Sequence, residues 1–144
     1  MSFINGNTVS PVNETHIGFS HQTNPFATET YNNSSPTFLY DTYEIPKGVW
    51  LISASVWFKQ PLMGCLINTI CLSIAFPGDE SGKNSNVLSI PSGYNAYSSS
   101  VCEPYYSDGN NRKCGIWFYG TTTNSTPFQL YGEEGSAMTY VKIA

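Results

Sequence analysis

From Val49 to Phe58 the chain alternates with a period of two: Trp50, Ile52, Ala54, Val56 and Phe58 are all apolar, while Val49, Leu51, Ser53, Ser55 and Trp57 are mixed. Successive side chains of an extended strand point to opposite faces, so this spacing dictates a β-strand with one face on a core. A helix would need apolar residues every three to four positions, and no window of 11 or more residues offers that pattern. Leu66 to Phe76 repeats the alternation, with Leu66, Ile70, Leu72, Ile74 and Phe76 on one face and Cys65, Ile67, Thr69, Cys71, Ser73 and Ala75 on the other. Gly115–Tyr119 and Met138–Ile143 complete the strong set, and weaker strands are expected at 16–19, 37–43, 87–90, 98–105 and 128–131. Turn residues separate them at Ile45-Pro46-Lys47-Gly48, Pro77-Gly78-Asp79, Pro91-Ser92-Gly93 and Ser107-Asp108-Gly109-Asn110. Many short strands without helices predict an all-β fold, an antiparallel β-sandwich or jelly roll.

Composition sets the boundaries. The 144 residues suit one domain, read as an N-terminal arm over 1–14, polar and unpatterned, and a head domain over 15–144. A net charge of -4 from six basic and ten acidic residues leaves no basic footprint for nucleic acid. No apolar run approaches the roughly 18–20 residues that cross a bilayer as a helix, so no membrane insertion is expected. Met1-Ser2-Phe3-Ile4-Asn5 has neither the basic nor the apolar region of a leader, which points away from Sec-type export. Charged residues are only 11%, against roughly a quarter in an average soluble domain. Their place is taken by 18 Ser, 13 Thr and 13 Asn, a neutral surface that suits a protein outside a cell or on a particle.

The second face of the strongest strands is also unusual. Val49, Leu51 and Trp57, then Cys65, Ile67 and Cys71, then Trp117 and Tyr119 are apolar or aromatic where an ordinary sandwich would be polar. Such a face is covered either by loops of the same chain or by a neighbouring subunit. The second choice makes Val49, Leu51, Trp57, Trp117, Tyr119 and Tyr140 the candidate interface between subunits.

Residues able to carry chemistry are sparse. His16 and His21 are the only histidines, and no nucleophile-elbow or zinc-protease pattern occurs. Copies of one histidine meeting on a symmetry axis between subunits would make an imidazole-ringed metal site, but structural histidines are the simpler reading. The carboxylate pairs Asp79-Glu80 and Glu133-Glu134 lie beside turn glycines, where solvation keeps them ordinary. The sequence therefore predicts no catalytic residues, no metal and no cofactor. Cys65 and Cys71, six residues apart on one strand, stand roughly 20 Å from each other and cannot pair there. Cys102 and Cys114 flank the Ser107–Asn110 turn, so they form a cross-hairpin disulfide or remain buried thiols. Tyr94, Asn95 and Tyr97, with Tyr105, Tyr106, Asp108 and Asn110, combine aromatic faces with neutral hydrogen-bonding groups. That mixture fits adaptable binding loops for a receptor or glycan, or rings that pack over the sandwich ends. Sequons at Asn13, Asn32, Asn33 and Asn124 are what so much Asn, Ser and Thr yields by chance.

Tyr43-Glu44-Ile45-Pro46-Lys47-Gly48-Val49-Trp50 running into a Ser-rich strand resembles the tumour necrosis factor and complement globular-head superfamily. Ile17-Gly18-Phe19 and Phe38-Leu39-Tyr40-Asp41 are similar to its opening strands, and Cys71–Phe76 to its central strand. Tyr105–Gly109 with Cys114–Phe118, and Ser136–Ala144, are similar to the turn and strands that close it, although Met138-Thr139 replaces a frequent glycine. The resemblance implies a jelly roll of about ten strands that assembles as a tight homotrimer, as in animal signalling ligands and in the heads of phage and viral fibres. Together these readings predict a non-enzymatic virion structural protein: a trimeric fibre head, spike or capsid-decoration protein at the virion surface. Its arm would contact other virion proteins and its loops a host receptor or glycan. The alternative is a secreted or cell-surface lectin or cytokine-like trimeric ligand, which would favour the Cys102–Cys114 bridge.

Overall fold

The computed structural model describes residues 3–4, 7–8, 15–32, 35–59, 66–78, 86–89, 96–110, 112–132 and 136–144. A short antiparallel pair, β1 (Phe3–Ile4) and β2 (Asn7–Thr8), lies within the expected arm. Then follow β3 (Ser20–Thr23), β4 (Glu29–Tyr31), β5 (Thr37–Tyr40), β6 (Gly48–Lys59), β7 (Ile67–Ala75) and β8 (Asn86–Ser89). β9 (Ala96–Ser107), β10 (Gly115–Thr122), a 3-10 turn at Thr123–Ser125, β11 (Phe128–Tyr131) and β12 (Ala137–Lys142) complete the described elements.

Two antiparallel sheets result. In the first, β6 is flanked along its whole length by β9 on one edge. On the other edge β12 and β11 lie end to end, carrying β3 and β4 outside them. The second sheet runs β5-β10-β7-β8. Strands from Ser20 onward change sheet repeatedly: β5 leaves the first, β6 returns, β7 and β8 leave, β9 returns, β10 leaves, and β11 and β12 return. That alternation is the jelly-roll topology expected from the sequence.

The even positions of β6 form the centre of the core, with Trp50, Ile52, Val56 and Phe58 at 0% exposure. Met138 and Tyr140 of β12 and Phe128 and Leu130 of β11 extend this layer against Ile70, Leu72 and Ile74 of β7 and Ile116 and Phe118 of β10. Phe58, Phe118 and Phe128 meet with centroids 5.6 to 6.3 Å apart, and Tyr31 of β4 stands edge-on to Phe118 at 4.9 Å. Each such side chain removed from water contributes roughly 1.5–3 kcal/mol.

Three expectations about strands change. His16–Phe19 is not a strand: Gly18 has φ 85°, and the Phe19 N–H donates to the His16 carbonyl, closing a turn before β3. Ile67 points inward at 1% exposure, because the β7–β10 register slips between Thr121 and Thr122 and resets which β7 side chains face the core. β4, unsignalled by alternation, forms as a three-residue edge strand on β11. Gly115 admits β5 closely: a Cβ there would stand 1.9 Å from the Leu39 carbonyl oxygen.

Candidate functional site

The odd positions of β6 define the outward face of the first sheet. Leu51 lies opposite Pro104 and Val141, Ser53 opposite Cys102 and Thr139, Ser55 opposite Ser100 and Ala137, and Trp57 opposite Ser98. Tyr106 beside Val49, and Ser20 and Gln22 on β3, extend the same surface. No acidic or basic side chain interrupts it until Lys59 at the end of β6. Small side chains in the middle leave a trough of about 620 Å³, lined by Gln22, Ser53, Ser55, Ser100, Ala137 and Thr139 among others. Large ones stand around it, with Leu51 37%, Trp57 45% and Tyr106 62% exposed. Where β6 passes from β12 to β11, Ser136 closes the gap: its hydroxyl accepts from the Trp57 N–H at 2.8 Å and donates to the Tyr131 carbonyl at 2.6 Å.

The expected interface residues do not all share this face. Val49, Leu51 and Trp57 do. Trp117 and Tyr119 stack on each other at 6.4 Å, but they belong to β10 in the opposite sheet, on its outward side. One flat contact cannot bury both groups. Tyr140 is corrected outright, because it is fully buried within the subunit. Its hydroxyl donates to Asp41 Oδ2 at 2.7 Å, and Asp41 also accepts from the Thr23 hydroxyl and the Tyr43 N–H. Burial first, then the neighbouring Cys114 and Asp41, raises the Tyr140 pKa. His21 joins the same aromatic group, stacked on Tyr43 at 4.3 Å.

The Cys102–Cys114 bridge is also corrected. β9 and β10 are not a hairpin; the chain between them crosses from one sheet to the other. Cys102 is an exposed free thiol on the outward face, while Cys114 is buried between the sheets, its thiol 3.6 Å from the Tyr140 hydroxyl. Burial pushes the Cys114 pKa up to about 12. Cys71 is a half-buried free thiol.

Of the candidate loop residues, Tyr94 and Asn95 lie outside the described residues, as do Cys65 and the carboxylate pairs 79–80 and 133–134, and Tyr97 is described only through its backbone pairing with Phe58. Tyr105, Tyr106, Asp108 and Asn110 come together at the pole where β9 ends. Tyr105 stacks on Phe76 at 4.2 Å with rings 22° apart, and Tyr106 points to solvent. Asp108 accepts from Arg112 Nε and Nη2 at 3.3 and 3.4 Å and from the Asn110 N–H at 3.0 Å. The guanidinium first, and then that N–H, hold the Asp108 carboxyl down at about 2. Lys113 pairs with Glu44 at 3.6 Å. Phe76, Pro77, Tyr105, Asn110, Arg112 and Lys113 enclose a cleft of about 100 Å³. Arg112 and Lys113 escaped the sequence reading, because isolated loop charges carry no periodic signal; the only cue was that Arg112 is the single arginine of the chain.

Among the described residues no group of three or more His, Cys, Asp or Glu could hold a metal ion, and no helix is long and apolar enough to cross a membrane. No protein-family model matches the sequence, and no curated protein matches it. A solved structure, the Eiger TNF from S. frugiperda, superposes with a TM-score of 0.53 over 90% of this chain and 94% of its own, at 11% identity. At that identity the likeness concerns the fold, and the fold is a tumour necrosis factor-like jelly roll.

Proposed function

We propose that this chain is a non-enzymatic homotrimeric head at a virion surface, a fibre head, spike or capsid-decoration protein, which meets a host receptor or glycan through its loops. The carrying observation is the uncharged outward face of the first sheet. A solvated antiparallel sheet face is ordinarily polar and charged. This one has serine, alanine and threonine around a trough, framed by Leu51, Trp57 and Tyr106. Exposed apolar surface of this kind marks a protein interface, and the tumour necrosis factor-like fold commonly forms trimers. The interface is thus read as the β3-β12-β6-β9 face alone, without Trp117, Tyr119 or Tyr140. Residues 1–14 would join the head to other virion proteins. The neutral Ser-, Thr- and Asn-rich composition supports the particle surface as its location.

A secreted or cell-surface trimeric ligand is the second reading, favoured by the fold likeness to a protein titled a TNF. Light scattering tests the assembly that both readings share. Sealing about 100 Å² of Trp57 in each copy is worth roughly 2.5 kcal/mol, so Trp57→Asp should convert a trimer to monomer. Wild-type protein that stays monomeric at micromolar concentration would end the proposal. Electron microscopy with antibody against the chain separates the locations: labelled particles select the virion, and label confined to cell surfaces selects the ligand.

A further inference from the structure

Positive charge is scarce in this chain and unevenly placed. Lys47, Arg112, Lys113 and Lys142 are four of its six basic residues. All four sit at one pole: Lys142 Nζ donates to the Lys47 carbonyl at 3.0 Å, Lys47 lies against Gly109, and Ile45 bridges to Arg112. Two acidic groups of this pole, Asp108 and Glu44, form ion pairs with Arg112 and Lys113 at 3.3 and 3.6 Å and are not among the residues that line the cleft. Among the described residues, the cleft wall therefore offers a guanidinium, an ammonium and the Asn110 amide, with the stacked Tyr105 and Phe76 rings as its apolar side.

The geometry points to this cleft as a site for the carboxylate of an acidic terminal sugar. A neutral pyranose needs acceptors as well as donors for its hydroxyls, and here the wall is donor-rich. A carboxylate needs donors only, and Arg and Lys supply charge-assisted ones. The aromatic pair receives the C–H face of the ring, while the Asn110 amide meets its hydroxyls. A volume of about 100 Å³ is roughly that of three waters in the liquid. It admits a carboxylate and the edge of one ring, and the rest of a glycan would remain in solvent. The inference rests on the reading of the chain as a host-binding head and names what the cleft lined by Tyr105, Asn110, Arg112 and Lys113 would recognise.

Uronic and sialic acids share this chemistry, so both are used as probes. The isotope-labelled full chain is titrated by NMR with methyl glucuronide, with the methyl glycoside of N-acetylneuraminic acid, with neutral methyl glucoside and with acetate. One or both acidic sugars should shift the Asn110 and Lys113 amide signals with dissociation constants on the order of 1 mM, and which of them binds identifies the source. Methyl glucoside should bind about tenfold more weakly or not at all. Lys113→Gln and Arg112→Gln, each checked by its amide spectrum to remain folded, should each weaken the acidic sugar about tenfold. Equal binding of methyl glucoside overturns the acidic specificity, and equal binding of acetate reduces the site to a simple anion contact and overturns the sugar. Absence of any shift with the trimer intact by light scattering rejects this site while leaving the assembly standing; a chain that binds yet is monomeric rejects the assembly instead.

Discussion

Replacing Tyr140 by Phe removes one oxygen from the interior and leaves the ring that packs beside His21 and Tyr43. That oxygen donates to Asp41 at 2.7 Å and faces the Cys114 thiol at 3.6 Å. Tyr140 is 0% and Asp41 3% exposed, so water cannot easily take its place. Hydrogen bonds to charged groups contribute about 1.5–3 kcal/mol, and Asp41 keeps the Thr23 hydroxyl and the Tyr43 N–H, which favours the middle of that range, about 2 kcal/mol. Unfolding entropy near 2.1 cal/mol/K per residue gives about 0.3 kcal/mol/K for 144 residues, so Tm should fall by roughly 7 °C. Calorimetry at one fixed protein concentration measures it, since assembly makes Tm depend on concentration. The same substitution in an Asp41→Asn background should be worth clearly less, because the charge that strengthens the bond is gone. A Tm unchanged to within about 1 °C, or an equal drop in both backgrounds, would refute the coupling between the two buried groups.

Other outcomes follow from the same geometry. At pH 8 a thiol reagent should label Cys102 in the dissociated subunit and leave Cys114 unmodified while the chain is folded, as mass mapping would reveal, because burial holds the Cys114 pKa near 12. Dilution below the trimer dissociation range should then speed Cys102 labelling, whereas a rate independent of concentration counts against a contact on that face. Asp108 should titrate by carbon NMR at about 2, below its ordinary 3.8. A carboxyl depressed in the folded state stabilises it above the ordinary value, and that contribution disappears as pH falls from about 4 toward 2. Arg112→Gln should return Asp108 toward 3.8, and a titration unmoved by the substitution would remove the ion pair as its cause.

Period-two alternation is written in local backbone geometry, and so it could be read without a structure. Consecutive side chains of any extended segment must diverge, which is why the buried set Trp50, Ile52, Ala54, Val56 and Phe58 was legible, together with the central parts of β7, β9, β10, β11 and β12. The jelly-roll class followed from many such strands joined by turns. Which sheet each strand joins is a different kind of fact, decided by partners far apart in the chain. β9 and β10 are neighbours in sequence with a turn-like link, yet they lie in opposite sheets. That single assignment separates Cys102 from Cys114 and Trp117 from Trp57. It also leaves the Trp117–Tyr119 pair on the side away from the proposed contact.

Inward or outward direction can fail locally as well, when a register slip resets parity, as for Ile67, or when a polar ring finds a buried acceptor, as Tyr140 finds Asp41. The cleft required Phe76, Tyr105 and Arg112 to be drawn together from different segments, with nothing in their spacing to announce it. Residue order thus determined which segments extend and which of their residues shun water. Tertiary structure decided who faces whom, because pairing energy is shared between strands that no local pattern connects.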